Sequence, residues 1–116
     1  MLVTGRLVPK LGIAYAALMR IVAKRTLREF WEKHNQAETP LSVWYALASR
    51  ADWRGPADVK ATFGSTVDFL GDNRLIFDIG GNKYRLVVHV IYPFRRVLIK
   101  FVGTHKEYDR IDPETV

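Results

Sequence analysis

A run of seven residues near the C-terminus gathers three side chains that could act together on a phosphodiester. Residues 103–109 read Gly-Thr-His-Lys-Glu-Tyr-Asp, which places His105, Lys106 and Tyr108 within about one helical turn of each other. An imidazole and a phenol can each donate or accept a proton, and an ammonium can stabilise negative charge on phosphate oxygens. We predict that these residues are catalytic.

Arg85 is a further predicted catalytic residue, because it lies in the strand expected to neighbour this run. Its guanidinium could bind a phosphate through two parallel hydrogen bonds, which a lysine ammonium does not offer. His105 is then the predicted general base or general acid, and Lys106 adds positive charge. On the residues alone, Tyr108 could equally be a packing residue next to a helix cap.

The register of one hairpin decides which residues share a face with Arg85. Alternating apolar residues predict two strands, residues 84–92 and 96–102, joined by a tight loop at Pro93 and Phe94. Burying the apolar residues of both strands selects one register. The predicted pairs are Val90 with Val97, Val88 with Ile99, Leu86 with Phe101 and Arg85 with Val102. The opposite face of the hairpin would then carry Arg85, His89 and Lys100.

Positive charge is concentrated in the C-terminal third of the chain. The whole sequence has 18 basic and 12 acidic residues, and residues 83–110 alone hold seven basic and two acidic ones. Such a field favours association with a polyanion or an acidic protein. The side chains predicted to contact an anionic substrate, in addition to the catalytic ones, are Lys60, Lys83, His89 and Lys100.

An α+β fold is expected to position these residues. Apolar residues at helical spacing predict one helix over residues 23–35 and a second that begins with Thr39 as N-cap and Pro40. The predicted buried residues of the second helix are Leu41, Trp44, Leu47 and Ala48. Residues 57–63 could add a short helical turn, and the three tryptophans are expected to be core residues rather than base-stacking platforms.

Extended segments follow the helices. Alternating character predicts an antiparallel meander of residues 66–70, 74–79, 84–92 and 96–102, and Met19 to Val22 could form an opening strand. The predicted architecture is an antiparallel sheet of about four strands, with two N-terminal helices packed on one face and a short C-terminal helical turn.

The expected domain organisation is a single domain over residues 19–116, preceded by an extension over residues 1–18. Met19 is the expected true start, because the strand pattern begins there. The apolar run of residues 11–19 is far below the roughly 20 residues that span a bilayer, and a secretory signal is the less favoured interpretation.

Composition excludes several kinds of chemistry. The chain has no cysteine, so it contains no disulfide, thiolate nucleophile or cysteine-ligated metal. Its three histidines are scattered, and no metal site or other cofactor is expected. A cytoplasmic location without membrane association is the simplest expectation.

Two motifs together resemble the HigB family of toxins. Residues 80–87 read Gly-Gly-Asn-Lys-Tyr-Arg-Leu-Val, and residues 100–109 read Lys-Phe-Val-Gly-Thr-His-Lys-Glu-Tyr-Asp. Residues 58–63 fit the same family, and the resemblance extends from about Met19 to Asp112. It implies a RelE-like fold and metal-independent cleavage of messenger RNA on the translating ribosome. It also implies a HigA antitoxin with a helix-turn-helix domain. The toxin would then be associated with operator DNA only through this antitoxin.

A ribonuclease without a metal needs a base for the 2′-hydroxyl proton, cations for the phosphorane and an acid for the leaving 5′-oxygen. In that reaction Tyr108 would donate a proton or stack on a base, and Lys60 would add charge. Two other interpretations compete with an endoribonuclease. One is a basic RNA-binding module that performs no chemistry, and the other is a basic subunit that holds an acidic protein partner.

Overall fold

Three helices precede a meander of four strands in the computed structural model, which describes residues 18–116. The expected extension over residues 1–18 therefore lies almost wholly outside the described residues, and the Met19 start stays a prediction. The elements in chain order are β1 (Arg20–Val22), α1 (Lys24–Lys33), α2 (Glu38–Ser49), α3 (Pro56–Phe63), β2 (Val67–Phe69), β3 (Arg74–Ile79), β4 (Tyr84–Ile91), β5 (Arg96–Thr104) and α4 (His105–Tyr108).

The sheet has five strands in the order β1-β5-β4-β3-β2. The four strands from β2 to β5 pair antiparallel, as the meander predicted, whereas β1 runs parallel to the first residues of β5. The α+β class and the C-terminal helical turn are confirmed. The prediction of a wholly antiparallel sheet was wrong. The chain passes through the helices and three further strands after β1, and β5 then pairs with β1 in the parallel sense.

The helices cover one face of the sheet and enclose the core with it. Leu27 of α1, Val59 of α3 and Phe77 of β3 are buried there. The expectation for the tryptophans is confirmed for Trp44 and Trp53, which are among the largest buried side chains, whereas Trp31 is only partly buried and packs against the core from α1. None of the helices within residues 18–116 combines the length and apolar character that crossing a bilayer requires.

Helix α2 begins earlier than predicted. A short 3-10 turn, Asn35–Ala37, leads directly into it, so Ala37 rather than Thr39 is the N-cap residue. Four residues of this helix were predicted to be buried. The prediction is wrong for Leu47, which is 46% exposed. The buried positions are Leu41, Trp44 and Ala48, and Leu47 lies beside this line rather than on it.

A β-bulge in β5 changes the predicted register. Val90 pairs with Val97 and Val88 with Ile99, as expected, but Val87 then pairs with Phe101. The predicted pairs Leu86 with Phe101 and Arg85 with Val102 are therefore wrong, and the partners are Val102 and Gly103 instead. Lys100 is the extra residue and is exposed. The bulge lets Val102 pack against the core although strict alternation would have placed Phe101 there.

We call the sheet face turned away from the helices the distal face. Register and alternation place on it Asp68, Arg74, Ile76, Asp78, Arg85, Val87, His89 and Phe101. The surface expected to be basic is thus mixed in charge, because the carboxylates of Asp68 and Asp78 lie on the same face as the cations.

The C-terminal segment crosses part of the distal face. Arg74 donates from Nη1 to the carbonyl oxygens of Pro113, at 3.2 Å, and Val116, at 2.8 Å. Ile76 and Val87 are buried on this face rather than displayed to solvent.

Candidate active site

Arg85 is the second residue of β4, and its side chain is held on several sides. Its paired residue in β3 is Asp78, and the distance from Nε of Arg85 to Oδ1 of Asp78 is 3.2 Å. Nη1 donates to the carbonyl oxygens of Asn82 and Tyr84, each at 3.3 Å, and Nη2 donates to the Asn82 side-chain oxygen. Every guanidinium nitrogen therefore has a partner within the protein, and only 11% of the side chain is exposed.

The β3–β4 turn supplies two of these contacts because of its backbone conformation. Gly80, Gly81 and Asn82 have φ values of 65°, 63° and 84°, which residues other than glycine, asparagine and aspartate rarely adopt. This left-handed turn places both the carbonyl and the amide oxygen of Asn82 within reach of Arg85.

Tyr108 meets Arg85 from the C-terminal helix. The guanidinium carbon of Arg85 lies 5.8 Å from the centre of the Tyr108 ring, within the range of a cation–π contact. On another side, the Phe101 ring centre is 6.4 Å from that of Tyr108. The bulge puts Phe101 on the distal face, where its ring packs beside Tyr108. It thus helps to hold the phenol next to Arg85.

The environment of Tyr108 favours the protonated form of its phenol. Burial is the largest influence on the pKa of Tyr108 and raises it above the usual value of 10.0. The cation of Arg85 lowers this pKa, whereas nearby carboxylates raise it further. Those carboxylates belong to Asp68, Asp109 and Asp78. A phenol in this state can donate a proton but does not act as a base.

A capping box fixes the helix that carries Tyr108. The hydroxyl of Thr104 accepts from the backbone N–H of Glu107 at 3.1 Å, and the Glu107 carboxylate accepts from the backbone N–H of Thr104 at 2.8 Å. Because α4 has a single turn, these two bonds set where its side chains lie. In addition, the backbone N–H of His105 donates to the carbonyl oxygen of Lys83 at 3.1 Å, which ties α4 to β4.

His105 is paired with a carboxylate. Nδ1 of His105 is 3.3 Å from Oδ2 of Asp109, one helical turn further on, and the imidazole remains 48% exposed. A carboxylate at Nδ1 orients the ring and leaves Nε2 for a substrate. His105 and Tyr108 are three residues apart in α4, a spacing that makes side chains neighbours on a helix surface.

The other predicted residues lie at different distances from this group. Lys106 belongs to the same helical turn and is exposed, and the ammonium of Lys83 donates to the side-chain oxygen of Gln36 at 3.0 Å. His89 is on the distal face opposite Arg74. Lys60 is not brought to the group, because α3 packs in the helical layer on the other side of the sheet.

A cleft of about 510 Å³ adjoins α4 between α1 and the end of β5. Phe30 and Phe101 supply aromatic surface to it, Arg110 and Lys33 supply cations, and Glu107 connects it to the helix that carries His105. In the part of the chain that the structure describes, histidine and carboxylate side chains form no group of three or more that could hold a metal ion.

Sequence reasoning missed the residues that hold the catalytic candidates. Asp78 and Asn82 contact Arg85, and Asp109 contacts His105. A signal for Asp78 was available, because a hairpin closed by residues 80–83 pairs it with Arg85. The spacing of four residues between His105 and Asp109 was a second signal, since such residues meet on a helix.

The sequence model of the HigB toxins, described as the RelE-like toxic component of a toxin-antitoxin system, matches residues 37–111. The chain belongs to the HigB toxin family. Its matched part contains Arg85, His105 and Tyr108. The HigB resemblance that the two motifs carried is thereby confirmed, together with the α+β fold class it implied.

Several HigB proteins are similar to this chain over most of their length. The mRNA interferase toxin HigB of Escherichia coli strain K12 is 32% identical over 92 residues, which cover 78% of this chain and 88% of that protein. The mRNA interferase HigB of Shigella flexneri has the same identity and coverage. The mRNA interferase HigB of Escherichia coli O6:H1 is 24% identical over 94 residues, which cover 80% and 91% of the two chains.

Proposed function

We propose that this HigB family member is an endoribonuclease that cleaves messenger RNA, as the toxin of a toxin-antitoxin pair. The observation that carries the proposal is the contact between Arg85 and the protonated phenol of Tyr108, on the same helical turn as an imidazole oriented by a carboxylate. The names of its relatives support RNA as the substrate, since they are mRNA interferases.

In the proposed reaction His105 is the general base. Its free Nε2 takes the proton of a ribose 2′-hydroxyl, and the 2′-oxygen attacks the adjacent phosphorus. The bond from phosphorus to the 5′-oxygen of the next nucleotide then breaks, and Tyr108 donates a proton to that oxygen. The products are a 2′,3′-cyclic phosphate and a 5′-hydroxyl, and water and metal ions take no part in the step.

Cations near α4 would stabilise the charge that develops on the phosphorane. Lys106 is an exposed candidate next to His105, and Lys83 adjoins α4 through the backbone bond to His105. His89 and Lys100 would contact RNA further along the two strands. Lys60 would reach RNA only from the helical side of the sheet, and the cleft beside α4 offers aromatic surface for a flanking base.

The proposed partners follow from the toxin-antitoxin family. A HigA-type antitoxin with a helix-turn-helix domain would bind the toxin and connect it to operator DNA, and the translating ribosome would present the message. These partners place the proposed activity in the cytoplasm. The net charge of +6 suits both an RNA substrate and an acidic inhibitor.

The test is expression of the chain without an antitoxin, beside Arg85→Ala and His105→Ala. Wild type should arrest growth and generate RNA fragments with 2′,3′-cyclic phosphate ends, and both variants should lose these effects. Arg28→Ala is a matched control for the arginine variant, because Arg28 is an exposed residue of α1 outside the site. If both site variants arrest growth and cut RNA as well as wild type, the assignment of the site is wrong.

A non-catalytic RNA-binding module gives a different result. It would bind RNA with a steep dependence on salt concentration and would create no new ends. A protein that only holds an acidic partner would form a tight complex and leave growth unaffected.

A further inference from the structure

The contacts of Arg85 are unusual for a residue whose task is to bind a phosphate directly. A two-point contact with a phosphate uses two N–H groups that point away from the protein. Here Nε faces Asp78, Nη1 faces two backbone carbonyls, and Nη2 faces the Asn82 amide oxygen. A bidentate contact with phosphate would require the guanidinium to give up at least part of this arrangement.

The same contacts make Arg85 a cation of fixed position. Its side chain is only 11% exposed, and it is anchored from both the neighbouring strand and the β3–β4 turn. The guanidinium also contacts the Tyr108 ring, and its carbon lies 5.8 Å from the ring centre. A cation that is fixed beforehand can stabilise charge on the phenol oxygen without reorganising during the reaction.

We propose that Asp78 and Asn82 are positioning residues, which hold Arg85 as a fixed cation against Tyr108 so that Arg85 acts on RNA cleavage through Tyr108. This inference rests on the proposed endoribonuclease function. It differs from a phosphate-binding role for Arg85 because it assigns the guanidinium to the proton donor rather than to the substrate.

The chemistry of the proton donor explains why such a cation is useful. When the phenol of Tyr108 gives its proton to the leaving 5′-oxygen, a phenolate forms, and a nearby positive charge stabilises it. Arg85 already opposes the effect of burial on the pKa of Tyr108. Asp78 offsets part of the positive charge of Arg85, but it also fixes the position of the guanidinium. The second effect is the one expected of a positioning residue.

Asn82→Gly is the most informative variant. Glycine accepts the φ of 84° at this position, so the turn is kept while the amide oxygen that binds Nη2 is removed. Asn73→Gly is the matched control, because Asn73 also has a positive φ, 57°, in the turn at the other end of β3. Asn82→Asp keeps an acceptor oxygen for Nη2, so its cleavage rate should be close to that of wild type rather than that of Asn82→Gly.

The expected result separates the cleavage rate from RNA affinity. Asn82→Gly and Asp78→Asn should lower the single-turnover rate at saturating RNA by about tenfold to about a hundredfold, as small displacements of catalytic groups do. RNA affinity and its salt dependence should match those of Asn73→Gly. If these variants instead weaken RNA binding, with a salt slope shallower by about one ion, Arg85 binds a phosphate and the proposal is wrong.

A second measurement does not depend on cleavage. NMR of the purified protein should show a slowly exchanging Nε–H signal for Arg85 in wild type and in Asn73→Gly, and fast exchange in Asp78→Asn and Asn82→Gly. The ring carbon of Tyr108 should titrate at higher pH in Asn82→Gly, because the displaced cation no longer lowers the pKa. Equal signals in all variants would overturn the positioning role. Wild type that cleaves no RNA would refute the proposed function and leave this readout unaffected.

Discussion

The carboxylate of Asp109 lies one helical turn beyond His105, with Oδ2 3.3 Å from Nδ1 of the imidazole. The pair is at the surface, where the carboxylate is 61% exposed, so its contribution to stability is small. Its effect is on the orientation of the ring, which α4 alone would leave free to rotate about χ1 and χ2.

Asp109→Asn should therefore lower RNA cleavage more than it lowers stability. An amide can donate to Nδ1 as well as accept from it, so the imidazole loses its preference for one tautomer. We expect the cleavage rate to fall by at least about tenfold, since general base catalysis contributes about a hundredfold or more. Glu114→Gln, also an exposed acidic residue of the C-terminal segment, is the control. An unchanged rate in Asp109→Asn would show that His105 needs no orienting carboxylate.

The pH dependence of cleavage should report the phenol of Tyr108. A general acid must be protonated, and burial raises the pKa of Tyr108 above 10.0, so the rate should be maintained up to that pH and fall only above it. Tyr108→Phe should remove this alkaline decrease and most of the activity. Rates measured from pH 7 to pH 11 on a short RNA give the profile. A decrease that begins well below pH 10 would assign the acid to another group.

Loss of the helix cap should displace the helical turn that carries His105 and Tyr108. Thr104→Ala removes the hydroxyl that accepts from the Glu107 backbone, and N-cap removal costs about 1 kcal/mol. Because α4 is a single turn, we expect a loss of cleavage larger than this change in stability would cause. Thr104→Ser keeps the hydroxyl and should behave as wild type. Chemical denaturation and cleavage assays on the two variants separate the effects, and equal activity in both would show that the cap does not position the site.

Gly103→Ala should disturb the site through Phe101. A Cβ atom at Gly103 would be 2.5 Å from the tip of the Phe101 ring and 3.0 Å from the Glu107 carboxylate. The ring can move, but it packs beside Tyr108, so its displacement reaches the phenol proposed as the proton donor. We expect a loss of about 1 to 3 kcal/mol in stability, together with reduced cleavage. Gly71→Ala is the control, because a Cβ there meets no atom within 4 Å.

Tyr92→Phe should stabilise the protein. The Tyr92 hydroxyl is buried and has no hydrogen-bond partner among residues 18–116, so removing it relieves up to about 1 kcal/mol of desolvation. Burial and then Asp58 raise the pKa of Tyr92 above 10.0. The unfolded chain therefore loses the phenol proton first, and stability falls as pH rises from 10 through the raised pKa. Unfolding free energies at pH 7 and above pH 10 should show higher stability and a shallower alkaline decrease in the variant.

The sequence predicted the neighbourhood of Arg85 and the C-terminal helix because both depend on local signals. The turn at residues 80–82 and the alternation in β4 define the hairpin, and Thr104 and Glu107 have the spacing of a capping box at the start of α4. The partners of Arg85 were harder to foresee, because charge counting treats Asp78 as an opposing charge rather than as an anchor. The start of α2 was also misjudged, since the 3-10 turn before it removes the need for a capping side chain at Thr39.

The register beyond Ile99 could not be derived from alternation. Phe101 and Val102 are both apolar, and either one could face the core. Contacts distant in sequence decide between them, because Phe101 packs beside Tyr108 and Val102 packs against the core cluster.

The bulge at Lys100 also bears on how related chains can differ in length. The pairs on its two sides, Val88 with Ile99 and Val87 with Phe101, are those of an uninterrupted antiparallel ladder from which one residue has been skipped. A chain without a residue at this position could keep both sets of pairs and still deliver α4 to the same end of the sheet. Sequence alignments of HigB proteins can therefore contain a one-residue gap here, between two segments that superpose.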